Sequence, residues 1–108
     1  AKILIVEDDC DTAAVMKEWF SVHKHSADVV SQCSRALPWL ATHECDVIVL
    51  DLELPDGDGS KVVRELRSRQ NATPILVASS RSSFDAKPLC LKIGADDYLE
   101  KPFHFKEL

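Results

Sequence analysis

Lys2-Ile3-Leu4-Ile5-Val6-Glu7-Asp8-Asp9 opens the chain with an apolar, β-branched run that stops at three consecutive carboxylates. The run reads as a strand. Three more segments repeat its design. Asp46-Val47-Ile48-Val49-Leu50 runs into Asp51, Pro74-Ile75-Leu76-Val77-Ala78 into Ser79-Ser80, and Asp97-Tyr98-Leu99-Glu100 into Lys101-Pro102. In an open α/β sheet, ligands bind in the crevice beyond the carboxyl ends of the strands, where the strand order reverses. Polar groups delivered there from four strand ends converge on one site.

Between these runs lie helical stretches, and the strand–helix unit recurs through the chain, which predicts an α/β fold with a parallel sheet. The first helix starts near Asp9 or Asp11, with Ala14, Val15 and Trp19 to Val22 as its apolar positions. A second strand is expected around Ala27-Asp28-Val29-Val30. The next helix is capped by Cys33 or Ser34, carries Ala36, Leu37, Trp39 and Leu40, and is short or distorted at Pro38. Leu54-Pro55-Asp56-Gly57-Asp58-Gly59 is turn chemistry leading to Ser60 as a candidate N-cap. Lys61 to Arg69 forms the third helix, with Val62, Val63 and Leu66 facing inward. The fourth opens at Ser82 to Phe84 and ends at Gly94. A fifth begins at His104-Phe105-Lys106-Glu107-Leu108, so the last helix is read as truncated. The fold class predicted is a doubly wound, flavodoxin-like five-stranded parallel sheet of order 2-1-3-4-5.

At 108 residues the chain is one domain, 1–108, read as the N-terminal part of a longer protein. No apolar run approaches the ~20 residues of a membrane span, and no signal peptide is recognisable. A net charge of −5 argues against direct nucleic-acid contact by this domain, which needs a basic face. Cys10, Cys33, Cys45 and Cys90 show neither a CxxC pair nor metal-ligand spacing with the histidines, as expected of reduced thiols in a cytoplasmic protein.

Strand order 2-1-3-4-5 sets the first and third strands side by side, which brings Glu7 and Asp8 next to Asp51. Packed carboxylates repel unless a cation neutralises them. A few oxygen ligands with retained waters suit Mg²⁺ better than a fully caged Ca²⁺. Taken alone, Asp8 and Asp9 are equally well explained as helix-capping residues. Lys101 alone is a solvated surface lysine. Opposite the acidic cluster it can pair with Asp51 or bind a phosphoryl oxygen as a point charge. Ser79 can donate a hydrogen bond to an anion or simply serve a turn.

These segments together resemble the receiver domain of two-component response regulators. They are Ile3 to Asp9, Val49 to Gly59, Pro74 to Ser79, and Gly94-Ala95-Asp96-Asp97-Tyr98-Leu99-Glu100-Lys101-Pro102-Phe103. The Leu-Pro-Asp-Gly and Gly-Ala-Asp-Asp-Tyr wording is most similar to the winged-helix transcription-factor (OmpR/PhoB-type) branch. The resemblance implies a phosphoryl switch that is not an enzyme in its own right, though it assists its own phosphorylation and dephosphorylation. Asp51 would accept the phosphoryl group from a sensor histidine kinase. Asp8, Asp51 and the backbone carbonyl of Glu53 would hold Mg²⁺, with Glu7 acting mainly through water. Lys101 and Ser79 would contact phosphoryl oxygens. Tyr98 would rotate into space vacated by Ser79, and Glu53 and Arg81, expected to form an ion pair, would tune the phosphoryl lifetime. Partners implied are the kinase, a covalently linked output domain that binds DNA, and a second copy docked through the fourth helix and fifth strand.

Ser79 and Ser80 depart from the family's usual Thr and Ala, so the switch coupling is looser and site access slightly narrower. Three other classes compete. A haloacid-dehalogenase-type phosphatase wants an Asp two residues past its nucleophile, where this chain has Glu53. An FMN-binding flavodoxin would have its phosphate repelled by the acidic crevice. A pseudo-receiver acting only as an interaction module would not need Asp8, Asp51, Ser79 and Lys101 together.

Overall fold

The computed structural model describes residues 2–101. Strand β1 (Lys2–Val6) is an inner strand of a parallel sheet, flanked by β2 (Ser26–Val30) and the central β3 (Val47–Leu50). Strands β6 (Ile75–Ser79) and β7 (Asp97–Glu100) complete the order β2-β1-β3-β6-β7, which is 2-1-3-4-5 when the main-sheet strands are counted in sequence. The predicted fold class is therefore the observed one. The expected fifth helix, with Pro102 and Phe103, falls outside the described residues.

β1 buries every residue after Lys2, because helices cover both faces of the sheet. Its alternate side chains feed two cores. Ile3 and Ile5 pack with Val49, Ala78, and Met16 and Phe20 of α1 (Cys10–Val22). Leu4 and Val6 join Ile48, Leu50 and Val77 beneath α2 (Cys33–Thr42), α3 (Ser60–Ser68) and α4 (Ser83–Ile93).

The first helix buries Phe20 as expected but otherwise presents a different face. Its buried residues are Ala13, Met16 and Phe20, while Val15 and Val22 stand 47% and 72% exposed and Ala14 is also exposed. The helix starts at Cys10, where the Asp9 carboxylate accepts from Asp11 N and Thr12 N. Neither Cys33 nor Ser34 caps α2. Both are already helical, Gln32 makes no side-chain cap bond, and Asp56 accepts from the backbone N–H of Cys33 and of Ser34, each at 2.8 Å. The helix is short, ten residues, and takes Pro38 in its interior. Ser60 is likewise not a cap but the first residue of α3. Gly59 holds the cap position, and Asp58 Oδ1 accepts from Ser60 N at 2.9 Å. α3 buries Val62, Val63 and Leu66 as expected, and α4 closes at Gly94 with φ 123°.

The segment read as a plain turn is a small antiparallel hairpin of β4 (Glu53–Leu54) and β5 (Gly57–Asp58). Asp56, at its tip, ties it to α2. Asp56→Ala is expected to leave the first α2 amides without acceptors, so that hydrogen exchange at Cys33 and Ser34 quickens by about tenfold while the sheet amides stay protected. Unchanged exchange at those two amides would mean that the cap is not formed in solution.

Candidate functional site

The parallel register delivers the predicted residues to one end of the sheet. Glu7 N donates to Val30 O and Asp51 N to Val6 O, so the chain leaves β1 and β3 in step. Glu7 is 3% exposed, Asp51 8% and Ser79 fully buried, whereas Asp8 faces solvent. Glu7, Asp8 and Asp51 each offer an oxygen within 4.8 Å of the others. Asp51 Oδ1 accepts from Glu53 N at 3.1 Å, and Glu7 Oε2 accepts from Asp8 N at 3.1 Å.

Lys101 is held over this cluster by its own N–H, which donates to Ser79 O at 2.6 Å. Its ammonium bonds Glu7 Oε1 and reaches Asp51 Oδ2 at 3.5 Å. The closer partner is thus Glu7, a pairing across 94 residues of sequence that spacing alone did not disclose. Burial works against the Lys101 charge, but Glu7 and Asp51 outweigh it and hold the ammonium above its usual range. Glu7 moves the other way for a carboxyl. Burial and the adjacent Asp51 push it up to about 7, against the pull of Lys101.

This shift fixes a pH dependence for the metal-free protein. The folded chain holds the Glu7 proton more tightly than the unfolded chain, so the associated stability is complete below about 4.5 and is lost as pH rises through about 7. The loss is on the order of 3 kcal/mol. Glu7→Gln in chelator is expected to abolish that slope, as read from urea midpoints across the range. Asp9, held low by the Thr12 N–H, and Asp56, held low by the Ser34 N–H, act in the opposite sense, losing their contribution as pH falls below the ordinary carboxylate range.

The third wall of the crevice is built on Arg81. Its N–H donates to Ser79 Oγ at 3.2 Å, and its carbonyl accepts from Tyr98 OH at 2.7 Å. The expected ion pair with Glu53 is present at 3.6 Å, but Arg81 also makes a shorter one with Asp58 Oδ2 at 3.1 Å. Sequence reading missed Asp58. Its signal was the second Asp-Gly pair, which was absorbed into turn chemistry. Tyr98 is buried, 3% exposed.

The donor set suits a hard divalent cation: three crowded carboxylate oxygens, with Glu7 pushed up to about 7 by burial and by Asp51. An acidic crevice at the switch point of a 2-1-3-4-5 sheet, faced by a lysine and a buried serine, defines a doubly wound α/β domain with a charged site at the carboxyl ends of its strands. Residues 3–108 match the model of the response regulator receiver domain, and the chain belongs to that family.

Among curated proteins it is 36% identical over 107 residues to the transcriptional regulatory protein PhoP of Escherichia coli (strain K12), covering 99% of this chain and 48% of that one. It is 37% identical over 107 residues to the response regulator MprA of Mycobacterium sp. (strain KMS), covering 99% and 46%. The chain thus spans about half the length of the curated relatives it matches. The receiver domain of Francisella response regulator 1452 superposes with a TM-score of 0.94 at 35% identity, covering 98% of this chain and 88% of that one. The BeF3-activated N-terminal receiver domain of Klebsiella pneumoniae RstA gives 0.92 at 30%, covering 99% and 91%. Among the described residues, no helix is long and apolar enough to cross a membrane.

Proposed function

We propose that this receiver domain is the phosphoacceptor switch of a two-component system, with Asp51 as the acceptor. The observation that carries this reading is the crevice itself: Asp51 lies within reach of Lys101, beside Glu7 and Asp8, with the Ser79 hydroxyl buried at the adjoining strand end. An Asp51 oxygen attacks the phosphorus of a kinase phosphohistidine, the P–N bond breaks, and the imidazole leaves with its electron pair. An ionised Asp51 needs no general base.

Asp8, Asp51 and the Glu53 carbonyl would hold Mg²⁺ directly, and Glu7 through water. When bound, the ion supplies countercharge to the phosphoryl oxygens. Lys101 shifts from the carboxylates to a phosphoryl oxygen, a small movement for a residue already 3.5 Å from Asp51 Oδ2. Ser79 Oγ accepts from Arg81 N and its hydroxyl also bonds the Tyr98 side chain, so it would exchange that partner for a second phosphoryl oxygen. Turning Ser79 to that oxygen takes an acceptor from Arg81 N while the Tyr98 bond to Arg81 O remains. The switch then acts by re-setting the Arg81 segment around the buried Tyr98.

The partners of this function are a sensor histidine kinase and a covalently linked, DNA-binding output domain in a longer cytoplasmic protein. Its homodimer face is α4 with β7. Phosphoryl lifetime is tuned at the rim of the crevice, where Glu53 and Arg81 stand. The test is incubation with Mg²⁺ and acetyl phosphate followed by intact-mass measurement. One acid-stable, base-labile adduct is expected. Turnover of a phosphate ester with no retained adduct would favour a phosphatase instead, and no reaction of either kind would favour a pure interaction module.

A further inference from the structure

The rim of the crevice carries a continuous row of side chains between the loop after β3 and the loop after β6. Ser80 Oγ donates to Glu53 Oε1 at 3.3 Å, Arg81 Nε lies 3.6 Å from the same oxygen, and Arg81 Nη1 donates to Asp58 Oδ2 at 3.1 Å. The two acidic partners are not equivalent. Glu53 is half exposed, on a longer side chain, and shared with Ser80. Asp58 is shorter, and its other oxygen is pinned by Ser60 N at 2.9 Å, at the start of α3. Gly59, next to it, is packed against the Asp51 carbonyl, with Gly59 N donating to Leu52 O at 2.7 Å. Asp58 is therefore fixed relative to the acceptor strand, while Glu53 is free to follow. Arg81 itself joins the rim to the switch, since its main chain touches both Ser79 and Tyr98.

We propose that Asp58 is a positioning residue for the phosphoryl site: it anchors the Arg81 guanidinium across the rim, and that anchor, rather than Glu53, sets how readily water reaches a phosphorylated Asp51. The inference rests on Asp51 being the acceptor. Asp58 never touches the phosphoryl group and acts only through Arg81. Burial opposes the charge on Asp58, yet the Ser60 N–H and Arg81 hold its carboxyl below the usual range, as an anchor requires.

An exposed ion pair of this kind shifts an equilibrium by up to about fivefold, which bounds the effect. The chain is phosphorylated with acetyl phosphate and Mg²⁺, the donor is removed, and loss of the adduct is followed by intact mass. Asp58→Ser keeps an oxygen acceptor for Ser60 N and removes the charge, separating the anchor from the helix cap. It is expected to shorten the lifetime by about two- to fivefold. Arg81→Ala should match it, the double variant should lose nothing further, and Asp58→Glu should recover most of the parent lifetime. In the unsubstituted chain, raising the salt should shorten the lifetime towards that of Asp58→Ser.

Asp58→Ser with the parent lifetime overturns the proposal, as do multiplying effects in the double variant. Should Asp58→Ser fail to fold, a parent lifetime that is flat from low to high salt overturns it too. A parent chain that takes no phosphoryl group removes the proposed function and this proposal together. Normal uptake with unaltered lifetimes removes this proposal alone.

Discussion

Asp51→Asn is expected to take up no phosphoryl group from acetyl phosphate, and in the absence of metal to be at least as stable as the parent. The two outcomes have one cause. Asp51 is nearly buried, and its oxygens lie with those of Glu7 and Asp8. Like charges about 4 Å apart repel by up to roughly 4 kcal/mol at the effective dielectric of a protein surface. Lys101 offsets part of this, bonding Glu7 more closely than Asp51. Asparagine keeps an oxygen for Glu53 N, loses the longer of the two Lys101 contacts, and lifts the repulsion. A gain of about 1 kcal/mol at neutral pH is therefore expected from urea midpoints in chelator. The gain should vanish below the Glu7 midpoint of about 7, where Glu7 is already neutral. An adduct that survives the substitution would move the acceptor to another residue.

Gly59→Ala is expected to be the most damaging single methyl in the chain. A Cβ there would lie 2.3 Å from the Asp51 carbonyl oxygen and 2.9 Å from Leu52 Cα, both backbone atoms of the acceptor loop. The φ of −59° is ordinary, so space rather than conformation demands glycine. Moving that backbone breaks the Gly59 N to Leu52 O bond and shifts Asp51 itself. We expect a loss of about 3 kcal/mol, a large share of a small domain's stability, together with slower phosphoryl uptake in whatever folds. Gly57→Ala is the control. Nothing lies within 4 Å of a Cβ there, and only its φ of +154° resists, at a cost of about 1 kcal/mol. Equal midpoints for the two variants would contradict the close approach.

What the sequence disclosed follows from where its signals are local. β1 and β3 are buried on both faces, so their apolar runs are unbroken and their ends unmistakable, and with them Glu7, Asp8 and Asp51. Val62, Val63 and Leu66 declare the inner face of α3 because polar residues surround them. In α1, Ala14 and Val15 are as apolar as Ala13 and Met16, and only the tertiary fit selects between the two faces. The β4–β5 hairpin has two-residue strands, too short to carry any periodicity. Asp56 and Asp58 were illegible for a related reason. Each is defined by a partner 22 or 23 residues away, Ser34 for one and Arg81 for the other, and a turn-rich segment explains both aspartates without them. The bond from the Tyr98 hydroxyl to the Arg81 carbonyl was illegible as well, because its partners lie 17 residues apart.

The central claim is that repulsion among crowded carboxylates is relieved by a divalent cation at the acceptor site. Calorimetric titration of the chain with Mg²⁺, on either side of the Glu7 midpoint of about 7, tests it most directly. One ion per chain is expected, with weaker binding and proton release below that midpoint, and with loss of the signal in Asp8→Asn. A flat titration at every pH, or binding that Asp8→Asn leaves intact, would contradict it.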